Sequence, residues 1–136
     1  MIRRDKARLE AYLAPWRTAG MDYSQFDCVR LACGWVKLWT GQDILPELRD
    51  WSCKASGLRA LSATGQTIKE NVDGFLGHSV PVPNARWGDI VAIETRPFDT
   101  LGIHDGGTAI FIAQKIGLQR LPLSRCDFAW RIKCRM

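Results

Sequence analysis

In the first half of the chain the hydrophobic residues recur with the spacing of α-helices. The first predicted helix stops before Pro15, which cannot continue it. The last carries four apolar residues in an i, i+4, i+7 rhythm: Ile68, Val72, Phe75 and Leu76. The pattern therefore predicts four helices, over residues 3–14, 28–39, 53–62 and 66–76.

The second of these helices is apolar on nearly every side, with only Arg30 and Lys37 charged. Asp27 precedes it as a good N-cap, and Thr40-Gly41 supplies a typical C-terminal stop. A helix that is hydrophobic all round is normally buried. The sequence therefore predicts that this helix is the central one of the domain.

After the proline-rich stretch at residues 81–84 the pattern changes to a period of two, which is typical of strands. Gly106-Gly107 lies between two of the runs and predicts a tight hairpin turn. We expect one α+β domain over residues 1–136, with a helical part at about 3–76 packed on an antiparallel sheet at about 88–133. The predicted strands cover residues 89–93, 101–104, 108–114, 118–121 and 129–132. The predicted core includes Trp35, Val36, Ile90, Val91, Ile103, Ile110 and Ile112.

Composition changes this picture little. The chain has 136 residues, of which 46% are hydrophobic and 24% are charged, so one core can form without help. The net charge of +5 comes from basic residues clustered at both ends, but no nucleic-acid-binding signature accompanies them, so no nucleic-acid partner is expected. No apolar run is long enough to span a membrane, and the start lacks the apolar region of a signal peptide. The six Trp residues favour a large core or an assembly surface.

The five cysteines are an odd number, and none of their spacings is C-x-x-C. In a chain that folds in the cytosol we expect all of them to be reduced. A metal or iron–sulfur cluster would need cysteines from distant segments to converge, so the prediction is no cofactor and no metal. The five are Cys28, Cys33, Cys53, Cys126 and Cys134.

Cys28 opens the predicted central helix, directly after Asp27. The backbone N–H groups at a helix start stabilise a thiolate, so this position suits a nucleophile. A cysteine peptidase also needs a base, usually an imidazole held by a third polar group. The alternative interpretation is that Cys28 is a small buried hydrophobic residue.

Several short strings add to this evidence: FDCVRL at 26–31, TG at 40–41, RWGDIV at 86–91 and LGI at 101–103, with Gly106 after them. In order and spacing they resemble the NlpC-type, papain-like cysteine peptidases. In that family D-C opens the nucleophile helix, T-G closes it, and P-G-D-L/V and H-V-G-I-Y form strands. The end of the chain, around Cys126 and residues 129–132, resembles an uncharacterised branch of the superfamily. That branch is encoded by tailed phages, prophages and gene-transfer particles among their tail-tip genes. The resemblance covers about residues 20–133 and implies a papain-like fold with Cys28 as nucleophile.

The resemblance also shows what is missing. Aligned with the family, Thr100 stands at the position of the base and Ile112 near that of the orienting residue. Neither can do that chemistry. His104 shares the face of Thr100 four residues further along the strand, and it is the remaining candidate base. His78 lies on a predicted loop and is a weaker candidate.

Three functions remain open from the sequence. The first is a structural protein: an inactive peptidase-like domain in a phage tail tip or baseplate, associated with the hub and bound to other tail-tip proteins. The second is an active endopeptidase that cleaves peptidoglycan during genome delivery, with Cys28 as nucleophile and His104 as base. The third is a metal-cluster protein. For the first two we expect location in the virion tail tip after synthesis in the host cytoplasm.

Overall fold

The structure is a computed structural model that describes residues 6–18, 27–42, 54–95, 99–113 and 117–132, with residues 54–58 described by their backbone alone. Its α-helices lie in the first part of the chain, as predicted. A short 3₁₀ helix at Ala14–Arg17, with Pro15 in its first turn, follows the first of them, and two further 3₁₀ helices lie at Val82–Asn84 and Leu123–Arg125. The α-helices are α1 at Lys6–Leu13, α2 at Cys28–Thr40, α3 at Lys54–Thr64 and α4 at Ile68–Leu76.

The strands form one five-stranded antiparallel sheet with the order β4-β3-β2-β1-β5. Each of the five predicted strands is present, with ends shifted by at most a few residues. Gly106, with φ of 99°, lies in the turn between β2 and β3, as its sequence context predicts. The strands are β1 at Ile90–Ile93, β2 at Thr100–His104, β3 at Thr108–Ile112, β4 at Leu118–Pro122 and β5 at Phe128–Trp130. The α+β class is therefore confirmed.

Helix α2 is the buried centre of the domain and contacts β2 and β3. The Asp27 carboxylate accepts a hydrogen bond from the Arg30 N–H at 2.8 Å, and Gly41, with φ of 74°, closes the other end. The Trp35 indole Nε1–H donates to the Gly88 carbonyl oxygen at 2.8 Å. This bond ties the middle of α2 to the turn that precedes β1.

The two faces of the sheet are covered differently. One face packs on the helices through residues of odd number in β2: Leu101 and Ile103 belong to the same buried cluster as most of α2. The other face carries a smaller buried cluster, covered by residues 80–85 and 121–126. That cluster consists of Val91, Ala109, Phe111, Cys126 and Ala129. Because side chains alternate along a strand, Thr100, Gly102 and His104 belong to this second face.

One residue of the predicted core, Ile112, and two other hydrophobic residues of the predicted helices are more exposed than their sequence pattern suggests. Ile112 is only partly buried, because it ends β3 and pairs with Leu118 of the edge strand. Phe75 is 38% exposed, since only Ile68 and Val72 of its helix face the centre of the core. Leu38 is 46% exposed, so α2 has one solvent-facing side. The other predicted core residues are buried: Trp35, Val36, Ile90, Val91, Ile103 and Ile110.

Some sequence predictions lie outside the described residues. These include the thiols of Cys53 and Cys134 and the basic residues at the extreme ends of the chain, Arg3, Arg4, Lys133 and Arg135. Within the described ranges, none of the helices has the length and apolar character needed to cross a membrane.

Candidate functional site

Cys28 is the first residue of α2, where the sequence places it. Its sulfur lies 4.0 Å from the carbonyl oxygen of Asp99, in the segment that leads into β2. The neighbouring Asp27 side chain is already engaged, because it caps the helix and forms an ion pair with Arg30. The thiol is therefore held between a helix start and the backbone at the beginning of a strand.

The surroundings of Cys28 favour the neutral thiol over the thiolate. Burial raises the pKa of Cys28 from its ordinary 9.0 to about 12, and the charge of Asp27 adds to the increase. The N–H groups of Leu101 and of the helix start act in the opposite direction, but desolvation outweighs them. The thiol is therefore almost entirely neutral near pH 7, whereas an active nucleophile needs a substantial thiolate fraction. Only 3% of the residue is exposed, so a substrate carbonyl has little access to the sulfur.

His104, the candidate base, does not lie beside this thiol. Cys28 contacts Asp99 and Leu101 at the start of β2, whereas His104 ends that strand, about 16 Å from Asp99 at the usual rise per residue. The His104 side chain also lies on the second face of the sheet, in a cavity that it shares with Cys126. Distance and sheet face therefore both separate His104 from Cys28.

Thr100, Ile112 and His78, the other residues discussed for the base and its orienting partner, also lie away from the Cys28 sulfur. Thr100 shares the second face, where its hydroxyl is 2.8 Å from that of Thr95. Ile112 packs partly against the helix-side cluster and has no polar atom on its side chain. His78 is exposed beyond the C-terminal end of α4, whereas it is the first turn of α4, at Lys69, that contacts Asp99. None of the three can take a proton from the Cys28 sulfur.

Sequence reasoning missed Asp99, whose backbone carbonyl oxygen lies next to the Cys28 sulfur. Its carboxylate accepts a hydrogen bond from the Lys69 N–H at 3.2 Å, near the start of α4. Burial, together with the charges of Glu94 and Asp127, raises the pKa of Asp99. All three carboxylates line an open cavity of about 740 Å³ between the α3–α4 turn and the sheet. One partial signal was available in the sequence: Asp99 has the same parity as Leu101, which puts the two residues on the same side of the chain.

The chain is similar to one known protein family. A model of a domain of unknown function, DUF6950, matches residues 2–132, which span both the helical part and the sheet. The chain belongs to the DUF6950 family. No curated protein matches the chain.

The cysteines of this DUF6950 domain were also considered as metal ligands. Cys28, Cys33 and Cys126 are buried, and none of the three is in a disulfide. Within the described parts of the domain, no three His, Cys, Asp or Glu side chains come together as a metal site would require. Cys28 and Cys126 in fact lie on opposite faces of the sheet, in separate buried clusters.

Proposed function

We propose that this DUF6950 domain is a structural component of a phage tail tip or baseplate, associated with the hub, and that it is an inactive relative of the NlpC-type peptidases. It is made in the host cytoplasm and acts in the virion, bound to other tail-tip proteins. The papain-like resemblance is supported by one feature of the fold: a buried helix that begins at a cysteine packs on an antiparallel sheet.

The observation that carries the loss of activity is the environment of Cys28. Thiol proteolysis requires a thiolate, a base that forms it, and an acid that protonates the leaving amine. Here the thiol is buried with a pKa of about 12, and the candidate imidazole of His104 lies on the other face of the sheet. These two features support the proposal that the described site has neither a thiolate nor a base within reach of it.

The structural role is supported by the tail-tip branch that the sequence resembles and by a rigid core rich in tryptophan. Trp35 stacks edge-to-face on both Trp39 and Trp87, with ring centroids 5.3 and 6.0 Å apart. Aromatic pairs of this kind add about 0.5–1.5 kcal/mol beyond the area that they bury. Such a core suits a domain that is held between neighbouring subunits in an assembly.

The test uses particles that carry Cys28→Ala, with Cys33→Ala as the matched control. Cys33 is a second buried cysteine on the same helix and has no proposed chemical role. A structural domain predicts normal assembly and nearly equal infectivity for both variants, and no release of muropeptides when the purified protein is incubated with peptidoglycan.

An active endopeptidase predicts a different outcome. Cys28→Ala would then assemble normally but lose about 100-fold or more in infectivity, while Cys33→Ala would not. Cysteine-dependent release of muropeptides by the wild-type protein would equally contradict the structural proposal.

A further inference from the structure

His104 joins two turns of the sheet through three hydrogen bonds. Its backbone N–H donates to the Asp89 carbonyl oxygen at 2.8 Å, and its own carbonyl oxygen accepts from the Gly88 N–H at 2.7 Å. Its ring Nδ1 accepts from the Gly106 N–H at 3.0 Å, inside the β2–β3 turn. The last bond requires an unprotonated Nδ1, because a protonated ring offers only donors.

Two charged groups and one further titratable group lie near this ring. Asp89, at the start of β1, and Asp105, in the β2–β3 turn, both favour a protonated imidazole. Burial opposes them and is the larger effect, so the pKa of His104 lies below its ordinary value of 6.5. Cys126, which lines the same cavity, stays neutral near pH 7, because burial raises its pKa to about 11.

We propose that His104 is a proton-operated latch, which holds the Gly106 end of the β2–β3 turn at neutral pH and releases it in acid. In the neutral state Nδ1 accepts the Gly106 N–H. When the ring takes a proton from solvent, Nδ1 becomes a donor facing another donor, and the bond breaks. The imidazolium then turns toward the carboxylate of Asp105 or Asp89, so each protonation state has its own hydrogen-bonded arrangement.

Two features make this latch workable although His104 is only 4% exposed. A cavity of about 570 Å³ leads to the ring between residues 82–85 and 123–126, which gives water and protons a route. Gly106 is solvent-exposed and has a φ of 99°, which glycine adopts without strain, so its N–H can bond to water once it leaves the ring. The rest of the turn keeps its hydrogen bonds, because the Asp105 carboxylate accepts from the Thr108 N–H at 2.7 Å and from Arg120 Nε at 3.0 Å.

The pH window follows from the direction of the shift. The folded protein binds its proton less readily than the unfolded chain, so the Gly106 bond is fully present above pH 6.5 and is lost as pH falls through the lower pKa of the folded state. Stability gained from the neutral ring is lost over the same interval.

The test is an NMR titration from about pH 8 to about pH 5, the range in which histidine changes charge. The Gly106 amide proton of the wild-type protein should shift in one step, with the same midpoint as the His104 ring protons and below 6.5. In His104→Asn the carboxamide oxygen can still accept the Gly106 N–H but does not titrate, so the step should disappear. His78→Asn, at an exposed loop histidine, should leave it unchanged.

Three results would overturn the proposal: a Gly106 amide that does not follow the His104 ring, a step that survives in His104→Asn, or a His104 midpoint at or above 6.5. If His104→Asn fails to fold, the wild-type comparison of the two midpoints still decides, since it needs no variant.

Discussion

The sulfur of Cys28 lies 4.0 Å from the carbonyl oxygen of Asp99, 71 residues away in the sequence. This contact places the thiol against the backbone of the strand start rather than against a titratable side chain. Asp99 also lines the neighbouring cavity, whereas Cys28 is not among the residues that line it. The first residue of α2 thus serves as a packing residue at the junction of helix and sheet.

The hydrogen bond that the Trp35 indole donates should contribute measurably to the free energy of unfolding. Trp35→Phe removes the donor at 2.8 Å from the Gly88 carbonyl oxygen and leaves that buried oxygen unsatisfied, which costs about 1–3 kcal/mol. Trp39→Phe is the control, because the buried Trp39 Nε1 has no hydrogen-bond partner among the described residues. Urea denaturation should show the larger loss for Trp35→Phe. Equal losses would argue against a stabilising role for the bond.

Gly102 should tolerate no side chain. A Cβ at this position of β2 would lie 2.5 Å from the Ile110 carbonyl oxygen and 2.6 Å from the Phe111 ring. Gly102→Ala should therefore cost roughly 1–3 kcal/mol in the free energy of unfolding, because backbone and ring must both move. Gly74→Ala, in α4, meets no atom within 4 Å and should instead stabilise by up to about 1 kcal/mol, through helix propensity. Thermal denaturation of both variants checks the prediction, and an unchanged melting temperature for Gly102→Ala would contradict it.

Asp99 should destabilise the folded protein at neutral pH. Its pKa is raised, so the folded protein holds this proton more tightly than the unfolded chain, and stability from this group falls as pH rises above its ordinary 3.8. Asp99→Asn keeps an acceptor for the Lys69 N–H and removes the charge. It should raise the urea midpoint at pH 7, and the gain should vanish as pH falls toward 3.8.

Asp105 is the control for Asp99, because its pKa is shifted in the opposite direction. Burial alone would raise the pKa of Asp105, but hydrogen bonds from Thr108 and Arg120 outweigh burial and lower this pKa. Asp105→Asn should therefore destabilise at pH 7, and this loss should shrink as pH falls below 3.8 through the folded pKa of Asp105. Urea midpoints that move in the same direction for both variants at pH 7 would show that charge is not the cause.

Local features of the fold could be predicted from the sequence because neighbouring residues determine them. Asp27 and Gly41 mark the ends of α2, and the period of two in the second half of the chain marks the strands. The sequence also indicates correctly that Thr100 and His104 share a face of β2. Alternation alone does not reveal which face meets α2, and that choice decides whether His104 can reach Cys28.

The chemistry of Cys28 could not be predicted in the same way. A helix start lowers a thiol pKa, and that local effect is visible in the sequence. The opposing and larger effect, desolvation, depends on burial of the thiol by parts of the chain that are distant in sequence, such as Asp99, whose carbonyl oxygen lies 4.0 Å from the sulfur. Asp99 directly precedes β2 and shares the parity of Leu101, but alternation does not reveal which face of the strand meets α2, so its position beside Cys28 was not apparent.

The most direct test of an inactive Cys28 is its alkylation rate as a function of pH, followed for each cysteine by mass spectrometry of peptides. In the native protein Cys28 should react at least about 100-fold more slowly at pH 7 than in the urea-unfolded chain, and its apparent pKa should lie above the ordinary 9.0. Fast alkylation of native Cys28 near pH 6, with an apparent pKa well below 9.0, would show a thiolate paired with an imidazolium and would contradict the account.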